Sequence, residues 1–168
     1  MKKLRLNEYI VKPYEKKYFE EIIDLFYIFN QSAKIPEYNG MFEYDNEEEQ
    51  KEHLRGCFNQ LLEETEGTFL IVDTSNDKVF GYTSYGPDNG EINLTLAFTS
   101  PLYVFWTGIR AYQKLINTIC IFKHVDRVVS KVYRDRVGKY MDFLHRYFKI
   151  EVEDCTDGPG YQVTMYKN

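Results

Sequence analysis

Apolar residues recur along this chain in two rhythms, an alternation typical of strands and a three-to-four repeat typical of helices. Tyr9 to Pro13 reads as a first strand, closed by Pro13. Phe19, Ile22, Ile23, Phe26 and Phe29 then return at helical spacing and predict an amphipathic helix over 15–30. Residues 31–45 are polar and turn-rich, with Pro36 and Asn39-Gly40. Asp45 or Asn46 can cap a second helix, whose first turn is acidic through Glu47, Glu48 and Glu49. Its expected inward stripe is Leu54, Cys57, Phe58, Leu61 and Leu62, and Gly67 is its expected stop.

The middle of the chain carries the strand rhythm. Thr68 to Asp73 and Lys78 to Tyr85 predict two strands joined through Ser75-Asn76-Asp77. Pro87-Asp88-Asn89-Gly90 predicts another turn, leading into an alternating strand at 91–98 with Ile92, Leu94, Leu96 and Phe98 on one face. A long helix follows from about Val104 to Phe122, with Ile109, Tyr112, Leu115, Ile116 and Ile119 inward. A strand at 127–133, a helix at 138–148 and a terminal hairpin complete the order. The hairpin pairs Ile150–Asp154 with Tyr161–Tyr166 around Asp157-Gly158-Pro159-Gly160. No repeat or interdomain linker interrupts it, so residues 1–168 read as one domain.

Composition supports a packed core: 43% of residues are hydrophobic and 17% aromatic. No stretch approaches ~18 uncharged apolar residues, so no membrane span is expected. No apolar run follows the basic start Met1-Lys2-Lys3, which argues against a signal peptide. Three separated cysteines, Cys57, Cys120 and Cys155, suit a reducing, cytoplasmic setting. Three scattered histidines and no cysteine pair give no metal site. The net charge of −5 is unevenly spread. Residues 101–150 hold 10 Lys and Arg against 3 Asp and Glu, a balance of +7, which leaves −12 elsewhere. A basic half can attract phosphates of a cofactor or a nucleic acid, or dock on an acidic partner.

The order β-α-α-β-β-β-α-β-α-β-β resembles the GNAT acyltransferase fold. Val11-Lys12-Pro13 before a helix resembles the family's opening, and Phe80-Gly81-Tyr82 resembles its third-strand glycine. The resemblance implies an α/β (α+β) domain, with a mixed, mostly antiparallel twisted sheet of six or seven strands and helices on both faces. Phe98-Thr99-Ser100, the Phe143-Leu144 pair and Gly160-Tyr161-Gln162-Val163-Thr164 are also similar to a narrower group. These are small GNAT-like podophage proteins linked to virion morphogenesis and the internal core. That similarity implies virion components as protein partners, and a host cytoplasm or virion location.

The family resemblance also implies where acetyl-CoA would sit. The backbone of Ala97, Phe98 and Thr99 would hold the pantetheine, and Gly108, Ile109 and Arg110 the pyrophosphate. The family's phosphate pattern is Arg or Gln, two residues, Gly, one residue, then Gly or Ala. Here the loop reads Pro101 to Ala111 with Gly108 as its one glycine, and Phe105 and Trp106 in between. The family's acid tyrosine on the last helix falls on Phe143 or Leu144, neither with a hydroxyl. Tyr140, one turn earlier, can substitute as the acid, and Glu91 can act through water as the base. The structural alternatives are an aromatic plug, a packing tyrosine and a solvated strand-end acid.

Three functions follow. The first is a scaffold with a degenerate acetyl-CoA site that serves virion assembly and needs no cofactor. The second is a divergent acyl-CoA-dependent N-acyltransferase. The third is a nucleic-acid-directed relative, suggested by the basic run Arg127 to Lys149 with Tyr133 and Tyr140.

Overall fold

A computed structural model describes residues 2–33, 46–88, 91–99, 105–132, 145–155 and 160–168. Strand β1 (Tyr9–Pro13) leads through a short 3-10 turn (Lys16–Tyr18) into α1 (Phe19–Ala33). Helix α2 (Glu47–Glu64) is followed by β2 (Gly67–Asp73), β3 (Lys78–Asp88) and β4 (Glu91–Thr99). Helix α3 (Phe105–Lys123), β5 (Arg127–Val132), β6 (Ile150–Asp154) and β7 (Tyr161–Tyr166) complete the chain. The predicted helix at 138–148 lies outside the described residues, save for helical residues 145–147.

The strands form one seven-stranded sheet in the order β1-β2-β3-β4-β5-β7-β6. Every neighbouring pair is antiparallel except β4 and β5. Helices cover both faces. Ile22, Ile23 and Phe26 of α1 and Phe58 of α2 pack on Leu70, Val72, Val79 and Tyr82. On the other face, Ile109, Leu115, Ile116 and Ile119 of α3 pack on Phe69, Ile71, Phe80 and Leu94. Strand β2 is buried on both sides from Thr68 to Asp73, which accounts for its unbroken apolar run. Truncating one of these fully buried aliphatic side chains costs roughly 2–5 kcal/mol.

Two bulges reset the alternation. Ile71 pairs with Gly81 and Val72 with Val79, so Phe80 is an extra residue in β3. The bulge lets Val79 and Tyr82, three apart, share the α1 face while Phe80 turns to α3. The second lies in β4: Tyr85 pairs with Leu94 and Ser84 with Leu96, leaving Thr95 over. The predicted strict alternation across Leu94 and Leu96 is therefore broken, because one inserted residue shifts the phase of everything after it.

Helix α2 departs from expectation at its end and on one face. Asn46 caps it, its side chain accepting from the Glu49 N–H at 3.0 Å. The helix stops at Glu64 rather than at Gly67; the Thr65 N–H and hydroxyl both donate to the Leu61 carbonyl. Gly67 instead opens β2, where a Cβ would lie 2.5 Å from the Tyr85 hydroxyl oxygen. Cys57 is exposed, not in the inward stripe, since only Phe58 of α2 is fully buried. The predicted turn at 87–90 begins later than expected, because β3 runs through Pro87 to Asp88.

Candidate active site

The parallel pairing of β4 with β5 is brief. It registers Asn93 with Val129 and Leu94 with Ser130, while β4 continues to Thr99 and β5 to Val132. The outer edges of both strands are fully engaged. Strand β4 pairs with β3 up to Thr99, and β5 pairs with β7 along its whole length. Among the described residues, the inner edge of β4 from 95 to 99 thus has no strand partner. An unpaired strand edge offers N–H and C=O groups to an extended ligand. The Thr95 bulge falls where the β5 pairing stops, so both irregularities coincide. Ala97, Phe98 and Thr99 lie on this edge, paired on their other side with Thr83, Tyr82 and Gly81.

The far end of the same strand pair is held by charge. Glu91 Oε1 accepts from Arg127 Nη2 at 2.7 Å. The two residues continue the β4–β5 register by two positions, so the ion pair closes the end opposite the unpaired edge. Arg127 also bonds the Tyr166 hydroxyl, and Tyr166 donates to Glu151 at 2.6 Å. Four strands are joined by this polar chain. The Tyr166 hydrogen bond and the Glu91 charge hold the Arg127 guanidinium in its protonated form. Glu91 is thereby an ion-pair partner about four residues, roughly 13 Å, from the bulge.

Helix α3 presents its residues on different sides. Ile109 is buried in the core, Gly108 is half-buried and Arg110 is exposed. The helix already begins at Phe105, so Gly108 sits in its first turn, and the unsatisfied N–H groups of a helix start belong to that turn. Arg110 lies on the side toward β1. Its charge opposes the burial that raises the Tyr9 phenol, and Lys114 one turn on donates to the Tyr9 carbonyl at 3.0 Å. Thr107 ties the N-terminal segment down by accepting from the Leu4 N–H at 3.1 Å. On the opposite side, Gln113 donates to the Tyr147 carbonyl, and Tyr112 meets Phe148 edge-on at 5.6 Å. Tyr140, Phe143 and Leu144 lie outside the described residues. No helix is long and apolar enough to cross a membrane, and no group of three metal-ligating side chains occurs, both among the described residues.

Among the described residues, a seven-stranded sheet with one parallel pair that parts beside a bulge, two helices on one face and one on the other, decides the fold. This is the GNAT acetyltransferase fold. A ribosomal-protein-S5-alanine acetyltransferase from Vibrio fischeri superposes with a TM-score of 0.62 at 14% identity, covering 98% of this chain and 96% of that one. The PaiA N-acetyltransferase from Thermoplasma acidophilum, solved with coenzyme A, gives 0.61 at 15% identity, covering 94% and 98%. A GNAT-family protein from Bordetella pertussis gives 0.59 at 12%, covering 97% and 98%. No protein-family model and no curated protein matches the sequence. The GNAT fold thus emerges from backbone geometry at identities too low to carry a substrate with it.

Sequence reasoning missed two features of this region. The Arg127 partner of Glu91 left no signal, because 36 positions separate them and only the β4–β5 register joins them. The bulge at Thr95 left none either, since Leu94 and Leu96 keep a regular apolar alternation.

Proposed function

We propose that this chain binds an acyl-CoA along the unpaired inner edge of β4 and acts as an N-acyltransferase. The observation that carries the reading is the coincidence of the Thr95 bulge with the end of the β4–β5 pairing. In this reading the N–H and C=O groups of Ala97, Phe98 and Thr99 hold the pantetheine amides. The first turn of α3, with Gly108, Ile109 through its backbone, and the Arg110 guanidinium, holds the pyrophosphate. The acceptor amine attacks the thioester carbonyl, a C–N bond forms, and the C–S bond breaks. Tyr140 supplies the proton to the departing thiolate, and Glu91 takes the proton of the amine through a chain of waters that spans its distance from the bulge.

Titration with acetyl-CoA followed by calorimetry tests it. Saturable micromolar binding is expected, weakened about tenfold or more by Arg110→Glu, the equivalent of one lost charged contact. Absence of heat at millimolar ligand overturns it. A second reading, a GNAT scaffold retained for virion assembly without turnover, is favoured by Phe143 and Leu144 at the place of the acid hydroxyl. Binding without acyl transfer to any amine, together with co-purification with virion components, would select that reading.

A further inference from the structure

A pocket opens where β2 starts and β3 ends, separated from the β4 inner edge by β3 itself. Its wall includes Tyr14, Leu62, Glu66, Phe69, Tyr85 and Phe122. Phe69 joins two other rings of this wall. Phe69 stacks on Tyr85 with centroids 5.8 Å apart and meets Phe122 edge-on at 5.4 Å. Phe69 and Tyr85 are buried, whereas Phe122 stands 57% exposed as the outer wall. The floor is Gly67, where the missing Cβ leaves room for the Tyr85 hydroxyl.

One cation already uses these groups. The Lys123 ammonium pairs with the Glu66 carboxylate and lies 5.7 Å from the centroid of the Tyr85 ring. Ring faces carry the negative part of the aromatic quadrupole, and a carboxylate beside them completes an attractive field for a cation. Lys123 reaches this place because α3 ends there in a two-bond cap. The His124 N–H donates to the Ile121 carbonyl at 3.3 Å and the Val125 N–H to the Cys120 carbonyl at 3.0 Å.

We propose that this pocket is a binding site for an alkylammonium group, and that Lys123, paired with Glu66 at its rim, is the internal competitor. An external ammonium takes the place between the Tyr85 ring and Glu66. The Lys123 head moves to solvent on its flexible stem, a small displacement at a helix end. Methylated ammonium fits best, because it is weakly hydrated and its methyl groups contact ring faces. The site is independent of acyl-CoA binding, so its test stands whether or not that reading holds.

Choline is the probe, with its uncharged isostere, carbon replacing the quaternary nitrogen, as the control. Proton NMR follows the choline methyl resonance, which aromatic ring currents move upfield on binding. Wild-type protein is expected to bind choline about three- to tenfold more tightly than the isostere, the range of one or two cation–π contacts. Lys123→Met keeps the stem, removes the competitor, and tightens choline binding by a similar factor. Glu66→Gln and Phe122→Ala each weaken it. Equal binding of choline and isostere to the wild type overturns the proposal, and that comparison alone decides if a variant fails to fold. So does unchanged affinity in a folded Glu66→Gln protein.

Discussion

At the residue scale, strain and conformational freedom are most exposed at the end of α3. His124 has φ 55°, in the left-handed region, and occupies the position after the helix where glycine is the favoured residue. Its N–H and that of Val125 close the helix, so the backbone needs this conformation although the side chain disfavours it. His124→Gly is therefore expected to raise stability by up to about 1 kcal/mol, read as a higher denaturant midpoint at unchanged slope. Asp77, also at φ 55°, is the contrasting case. Its carboxylate accepts from the Tyr18 hydroxyl at 2.6 Å and from Lys17 at 3.0 Å, so glycine there forfeits both bonds. Both residues sit in turns that the sequence marks only partly. Ser75-Asn76-Asp77 carries turn residues, whereas nothing in Phe122 to Val125 announces a left-handed histidine.

At the scale of elements, the paired strands β4 and β5 decide what Glu91 is. A carboxylate that relays protons through water and a carboxylate that closes a strand pair respond differently to reversal of both charges. Glu91→Arg and Arg127→Glu are each expected to loosen the two strands, seen as faster amide exchange at Asn93 and Leu94. The double reversal restores protection if the pair is an end clasp. Acetylation by the double reversal stays absent if Glu91 is also the base, so the two roles separate in one pair of measurements. Solvent screens this pair at the half-exposed Arg127, and the Tyr166 and Glu151 links extend it into a hydrogen-bonded chain. Most element positions were legible in the sequence. Strand β1, the Asn46 cap, the inward row of α3 and the terminal hairpin all follow from spacing and capping chemistry. The α2 end was not, because Gly67 answers to the Tyr85 ring from another strand rather than to the helix before it.

For the whole molecule, the large number of buried phenols sets the response to alkali. Burial pushes the Tyr82 phenol well above its ordinary value of 10.0, and raises Tyr9 and the Cys120 thiol as well. In the folded state these groups keep their protons to higher pH than in the unfolded chain. Above the unfolded values the folded state thus binds more protons, so stability falls as pH rises. The stabilising contribution is complete below about pH 9 and is lost progressively above about pH 10. Denaturant midpoints measured from neutral to strongly alkaline pH are expected to stay level and then drop. Tyr82→Phe makes the drop shallower, since it removes the most strongly raised group.

The sequence by itself determined the succession of elements, because alternation, helical repeat, caps and turn residues act between near neighbours. It also determined that the chain has apolar mass for a core on both sides of a sheet. Tertiary structure alone decided where the strand order places β7 between β5 and β6, where β4 bulges, and where its pairing with β5 stops. It alone joined Glu91 to Arg127, turned Arg110 toward Tyr9, and set Lys123 between Glu66 and the Tyr85 ring. Those outcomes depend on register and on side chains distant in sequence. A one-residue bulge or a helix end rotated by one position changes them without altering any local pattern.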